Sequence, residues 1–474
     1  MPTPSANGDS RLSFWLRVRE FAVPPSMIDT ATARRSVGDW AGACAAAGVD
    51  VDLNLRSVAR DHGQALVTRL RSDLRRLAPD LLRWHLPRIA PDGLLRPGLT
   101  IALARYGAEG QDGPGPVHLV VRTPPAWADG GQRISLALWD GTGFEGAGRH
   151  PHPRPGPRFR LDLHRHLWDA SRAGELRARS GADRPDNANS LVLDEELLAR
   201  VPHGHRCALD RWAAEAGILL RAEGRQRGRA GSVLVRLGSR HRLVLEVPAA
   251  GRAPVVRLAG GARSPHGLGS ALPVLPDAAT WVPPDLELLR SGAIDAGRLH
   301  PLVAAALTGA GEGGPSRAAP RSAERPGQPR LVECRGARHR IGLVDGVLAA
   351  LDHDPAELRR EELLVALTGT PLPCLRAIDE AHRRPDCLTG VRERLDHGDI
   401  AGALAVVEGL LGPGAHLRDG PLRDELEAAA QRRITYGLFR AGLIGAARGP
   451  ARLRPGDLQR GQDHLAHPRH ASLR

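Results

Sequence analysis

The stretch Leu99-Thr100-Ile101-Ala102-Leu103-Ala104-Arg105-Tyr106 decides the fold class. Before it, apolar residues recur every three or four positions, the period of a helix. From it onward they alternate, or run unbroken between Gly, Pro and Asp, which is the period of a strand. Upstream, Asp39 can cap a helix carrying Trp40, Ala43, Cys44 and Ala47 on one face, with Gly48 closing it. A longer helix over 61–78 aligns Leu66, Leu70, Leu74 and Leu77 in one stripe. Downstream, residues 100–106, 117–123, 133–139 and 158–163 read as strands. A helical interval follows, then a second strand block at 218–223, 232–237, 242–247 and 254–258.

Past 309 the sequence GAGEGGPSRAAPRSAERPGQPR has the composition of a flexible linker, and all eight Trp lie before it, the last being Trp281. Beyond it, Asp354-Pro355-Ala356-Glu357 is a strong helix start, with a cap, proline at the first helical position and glutamate three residues after the cap. Asp399 caps another helix that Gly412-Pro413 ends. The expected fold is therefore α+β and multidomain. Residues 1–10 are expected to be disordered, 11–95 a helical module, and 96–305 a mostly antiparallel β-containing domain with two strand blocks. A linker over 309–330, an all-α domain over 331–442 and a disordered basic tail over 443–474 complete the layout.

The composition of the 474 residues excludes several chemistries. Every basic side chain other than His is Arg, so no lysine Schiff base or phosphate-loop lysine can form. The net charge of +13 suggests nucleic acid, but part of the excess sits in the linker and tail, and with aromatics at 3% base-stacking platforms are scarce. No apolar run reaches the roughly 18 residues of a membrane helix, and no secretory signal is legible at the N-terminus, so a cytoplasmic protein is expected. Five Cys, odd in number and widely spread, read as reduced thiols.

One turn occurs twice. Gly38-Asp39-Trp40-Ala41-Gly42-Ala43 is echoed by Gly398-Asp399-Ile400-Ala401-Gly402-Ala403. Both copies resemble the inter-helix turn of tetratricopeptide-like hairpins, although no 34-residue period links them. That resemblance implies a partner-binding surface around Asp39, Trp40, Asp399 and Ile400. The stretches Arg17 to Ile28 and Arg359 to Asp379 (RREELLVALTGTPLPCLRAID) resemble a family of proteins from high-GC Gram-positive bacteria with no assigned activity. This resemblance implies a bacterial cytosolic protein, associated with ATPase or other multiprotein machinery, and transfers no catalytic residue.

Candidate chemistry is sparse. His164, His166 and Asp169 lie near a strand-to-helix switch and could supply acid–base groups. In the C-terminal region Cys334, His339, Cys374, His382 and Cys387 are possible metal ligands. Of these, Cys374, His382 and Cys387 form the best candidate set, but no Cys-x-x-Cys pair stands among them, so no metal or other cofactor is expected. Asp352-His353-Asp354 reads as capping. Arg225, Arg227 and Arg229, between two expected strands, could touch phosphates. The leading expectation is a non-enzymatic adaptor or scaffold that binds a protein partner through helical hairpins, with no membrane role. The alternatives are an enzyme of unrecognised type, with a site in the middle domain or at a C-terminal zinc, and a nucleic-acid-associated protein.

Overall fold

The computed structural model describes residues 5–107, 115–141, 150–183, 195–202, 204–224, 230–238, 241–248, 255–258, 272–309, 330–334, 336–344, 347–368, 372–383, 388–412 and 416–444. It confirms an α+β multidomain layout, with helices towards both ends and antiparallel sheets in the middle. The described residues fall into two compact units. The larger lies within Met1–Trp127 and Arg133–Ser316, and the smaller comprises Ala128–Gln132 and Arg317–Ile444.

The larger unit opens with α1 (Ser5–Phe21), α2 (Pro25–Ser36) and α3 (Trp40–Ala46). The chain then enters a short strand, β1 (Val49–Asp52), inside the region expected to be wholly helical. Val49 and Val51 supply the β-branched alternation; four residues are too few to stand out from sequence alone. Helices α4 (Leu55–His62), α5 (Gln64–Arg76) and α6 (Pro79–His85) follow. A two-residue ribbon of β2 (Arg88–Ile89) and β3 (Leu94–Leu95) leads into β4 (Thr100–Tyr106), β5 (Val117–Arg122) and β6 (Ile134–Trp139). The sheet order is β1-β6-β5-β4, antiparallel except that β1 runs parallel to β6. The Leu66, Leu70, Leu74 and Leu77 stripe packs into the same core as Ile101, Leu103, Leu119 and Leu136.

Two expected strands do not form. Residues 158–163 make turns that touch the sheet through a single bridge, Ala102 to Arg160. Residues 218–222 continue the helix α7 (Leu209–Ala222), because Trp212, Ala216, Leu219 and Leu220 extend one buried helical face. The second strand block is a separate sheet of β7 (Gly231–Leu237), β8 (His241–Val247) and β9 (Val255–Leu258), all antiparallel. Helices α8 (Pro284–Arg290) and α9 (Pro301–Thr308) complete this unit.

The smaller unit differs from the all-helical expectation. It begins with an antiparallel sheet of β10 (Arg330–Cys334), β11 (Ala337–Val344) and β12 (Val347–Ala350). Five helices follow: α10 (Pro355–Thr368), α11 (Pro373–Arg383), α12 (Leu388–Asp396), α13 (Ile400–Leu411) and α14 (Pro421–Ala441). The sheet and helices share one core, in which Cys334, Ile341 and Leu348 pack with Cys374, Ile378 and Val391. Among the described residues no helix is long and apolar enough to cross a membrane.

Candidate metal centre

The β10–β11 hairpin places the first two donors. Cys334 pairs with Ala337, and Val332 pairs with His339. Side chains two apart on a strand share a face, so Cys334 and His339 are diagonal neighbours on one side of the hairpin. Just before Ala337, Gly336 has φ +81°, a left-handed conformation glycine adopts without steric cost.

His353 arrives from the far side of the sheet. Arg340 anchors the segment leading to it: its carbonyl accepts from the Leu351 N–H at 2.8 Å, and its own N–H donates to Asp352 Oδ2 at 2.7 Å. The Arg340 guanidinium also grips Asp352 Oδ1 at 2.7 Å. That hydrogen bond holds the Asp352 carboxyl down at about 2. The His353 and His339 rings meet at 4.2 Å between centroids, and His339 Nδ1 lies 2.6 Å from His353 Nε2. The two histidines thus present different ring nitrogens to the same point. The other nitrogen of His353, Nδ1, lies 3.8 Å from Glu357 Oε2, one helical turn along.

Cys374 is the second residue of α11, preceded by Pro373 at the helix start. Its thiol joins the Cys334 thiol, so that the ligand atoms of Cys334, His339, His353 and Cys374 all lie within 4.8 Å of one another. The two cysteines and His353 are buried and His339 is half-buried. Burial, reinforced by the neighbouring Cys334, pushes the Cys374 thiol up to about 11. A metal ion reverses that preference, because it binds the thiolate and the neutral imidazole. Tetrahedral zinc ligands stand about 3.3–3.8 Å apart at bond lengths of about 2.0–2.3 Å. The observed cluster therefore needs only small side-chain adjustments to match.

Of Cys374, His382 and Cys387, Cys374 belongs to the cluster found among the described residues. His382 is eight residues further along α11, about 12 Å of rise at 1.5 Å per residue, and its side chain lies outside the described residues. Cys387 lies outside the described residues. The residue missed is His353, because its neighbour Asp354 does cap α10, accepting from Ala356 N–H at 3.0 Å, and the capping motif concealed a ligand beside it.

The acid–base candidates are held by internal partners. His164 is buried, with Nδ1 at 3.0 Å from the Arg160 carbonyl and Nε2 at 3.2 Å from Glu215 Oε2. Burial alone would raise Glu215, but hydrogen bonds from His164 and Arg179 outweigh it and bring the carboxyl down to about 2. His166 is buried beside His164, and burial drives its imidazole well below the ordinary range. Asp169 accepts from Ser171 N–H and Oγ–H at 3.0 and 2.6 Å and from the Arg165 guanidinium at 3.0 Å. Arg165 also pairs with Asp73, which accepts from the Tyr106 hydroxyl at 2.8 Å. All three candidates are buried.

The paired turns have one geometry. Asp39 and Asp399 adopt nearly the same backbone angles (φ −82°, ψ 74° and φ −82°, ψ 69°), and each accepts from the glycine three residues on, at 2.8 and 2.9 Å. Each also pairs with an arginine five residues earlier, Arg34 at 3.4 Å and Arg394 at 3.0 Å. Trp40 and Ile400, expected to face a partner, are half-buried, each packed against the core of its unit. The exposed apolar residues nearby are Val37 and Leu404. The first hairpin continues into β1, so it is not followed by a helical array. Arg225, Arg227 and Arg229 lie outside the described residues. Compared with known protein families, curated proteins and solved structures, the chain matches none.

Proposed function

We propose that the protein is a non-catalytic adaptor whose smaller unit is a binding module organised by zinc. The observation that supports this reading is the donor set, in which two thiols and two imidazoles converge from two strands, a loop and a helix. Thiolate and imidazole ligands select zinc over magnesium or calcium, which prefer oxygen. Four protein ligands saturate a tetrahedral zinc, whereas catalytic zinc keeps a position for water or substrate. The same unit carries no basic excess, with nineteen Arg against twenty Asp and Glu over Ala128–Gln132 and Arg317–Ile444. A surface that neutralises phosphates needs a basic excess, so this balance favours a protein partner over nucleic acid.

Two measurements test the reading. Elemental analysis of the purified full chain is expected to give about one zinc per molecule, and less than a tenth of that in Cys374→Ser; a zinc-free wild type would overturn the metal reading. Affinity capture from the cells that make the protein is expected to retain a stoichiometric protein companion after nuclease treatment, and to lose it in Cys374→Ser. Companions that disappear with nuclease would overturn the protein-partner reading.

A further inference from the structure

We infer that the Cys334–Cys374 pair makes this centre a peroxide-sensitive switch, in which oxidation joins the two sulfurs as a disulfide and releases the metal. The inference rests on the zinc reading above. The two Sγ atoms lie within 4.8 Å of each other, and the Cys334 thiol is the direct neighbour of the Cys374 thiol. They come from different elements, the end of β10 and the first turn of α11, so a bond between them draws a strand against a helix. The other free cysteines of the described residues, Cys44 and Cys207, belong to the larger unit. Both sulfurs are buried, and Cys334 is assigned the first attack because Gly336, Ala337 and Arg338, two to four residues on, are exposed. Half-buried His339 gives the centre its thinnest cover.

Metal binding keeps both sulfurs as thiolates, the nucleophilic form. The Cys334 thiolate attacks one oxygen of hydrogen peroxide; an S–O bond forms, the O–O bond breaks, and hydroxide leaves. The Cys374 thiolate then attacks that sulfur, forming the S–S bond and expelling the second oxygen as hydroxide. Two protons from solvent convert the hydroxides to water. The two sulfurs lose two electrons in all, and the peroxide gains them. The zinc changes neither charge nor redox state. Two imidazoles remain as ligands, too few to retain it against a chelator.

The test is a stepwise hydrogen peroxide titration of the zinc-loaded full chain, with a chromophoric zinc indicator and peptide mapping by mass spectrometry. The expected result is about one zinc released for every two thiols lost. A Cys334–Cys374 cross-linked peptide should appear, and a dithiol plus zinc should restore the starting state. Cys387→Ser is expected to behave as the wild type. The switch is overturned if zinc stays bound at peroxide levels that oxidise the denatured chain, or if zinc leaves with these cysteines as sulfinic acids. It is equally overturned if Cys387 supplies the disulfide partner. A chain that holds zinc but resists peroxide sinks the switch alone, whereas a chain that never holds zinc sinks the metal reading and the switch together.

Discussion

Three carboxylates flank His353, and each has a separate task. Asp352 is held by Arg340, Asp354 caps α10, and Glu357 faces His353 Nδ1 at 3.8 Å. A histidine that presents Nε2 to a metal needs its proton on Nδ1, and a carboxylate on that side fixes this tautomer. Glu357→Gln removes the charge while keeping the shape, and should weaken zinc binding about 10-fold. Competition against a chromophoric chelator measures this, with Asp354→Asn, which keeps a capping side chain, expected to stay close to wild type. Equal affinities for wild type and Glu357→Gln would refute the role. His164 shows a related constraint. Its two nitrogens lie at 3.0 Å from the Arg160 carbonyl and 3.2 Å from the Glu215 carboxylate, so the ring is fixed between two elements.

The helix-capping signals in the sequence were the most legible local features. Asp39, Asp399 and Asp354 all cap the helices expected of them, because a cap is a contact between a side chain and backbone two or three residues away. Asp399→Ala should cost about 1 kcal/mol in the smaller unit, read from urea unfolding followed by circular dichroism. The β10–β11 hairpin was not legible, since helices on its C-terminal side set the expectation for the whole region. The alternation of Val332 and Cys334, then His339 and Ile341, on either side of Arg335-Gly336 carries the hairpin signal. The candidate metal centre was legible only in pieces, because its four donors are separated by 4, 13 and 20 intervening residues, a spacing that follows no compact motif. In the larger unit, α1 is clamped to α8 by a buried pair that no local pattern reveals. The Arg19 guanidinium donates to both oxygens of Asp285, at 2.7 and 2.9 Å, and stacks over Trp84. Trp84 Nε1–H donates to the same carboxylate at 3.1 Å. Asp285→Ala leaves a buried cation without its partner and should cost about 3–5 kcal/mol. Tryptophan fluorescence during denaturant unfolding measures that loss, and an unchanged midpoint would contradict the clamp.

All eight tryptophans precede the linker, so at the scale of the whole molecule their emission reports the larger unit selectively. That unit buries several imidazoles in neutral form. Burial pushes His85 down to about 3 and His150 to about 4, and drives His166 well below its ordinary value. In the unfolded chain each imidazole takes up a proton near pH 6.5. Below that pH the unfolded state therefore holds more protons than the native state, and acidification favours unfolding. Each such imidazole removes about 1.4 kcal/mol per pH unit until its native value is reached. Glu215, held at about 2, adds a loss of the same sign below its ordinary range, while Glu287, raised by burial, works in the opposite direction. The expected outcome is a tryptophan-detected urea midpoint that is steady above pH 7 and falls continuously from about pH 6.5 to pH 4. His85→Phe, which replaces one half-buried imidazole with an apolar ring, should lower that slope by about 1.4 kcal/mol per pH unit. A midpoint flat between pH 7 and 4 would mean that these imidazoles reach water in the native state, and that the larger unit is less tightly packed around them than its geometry requires.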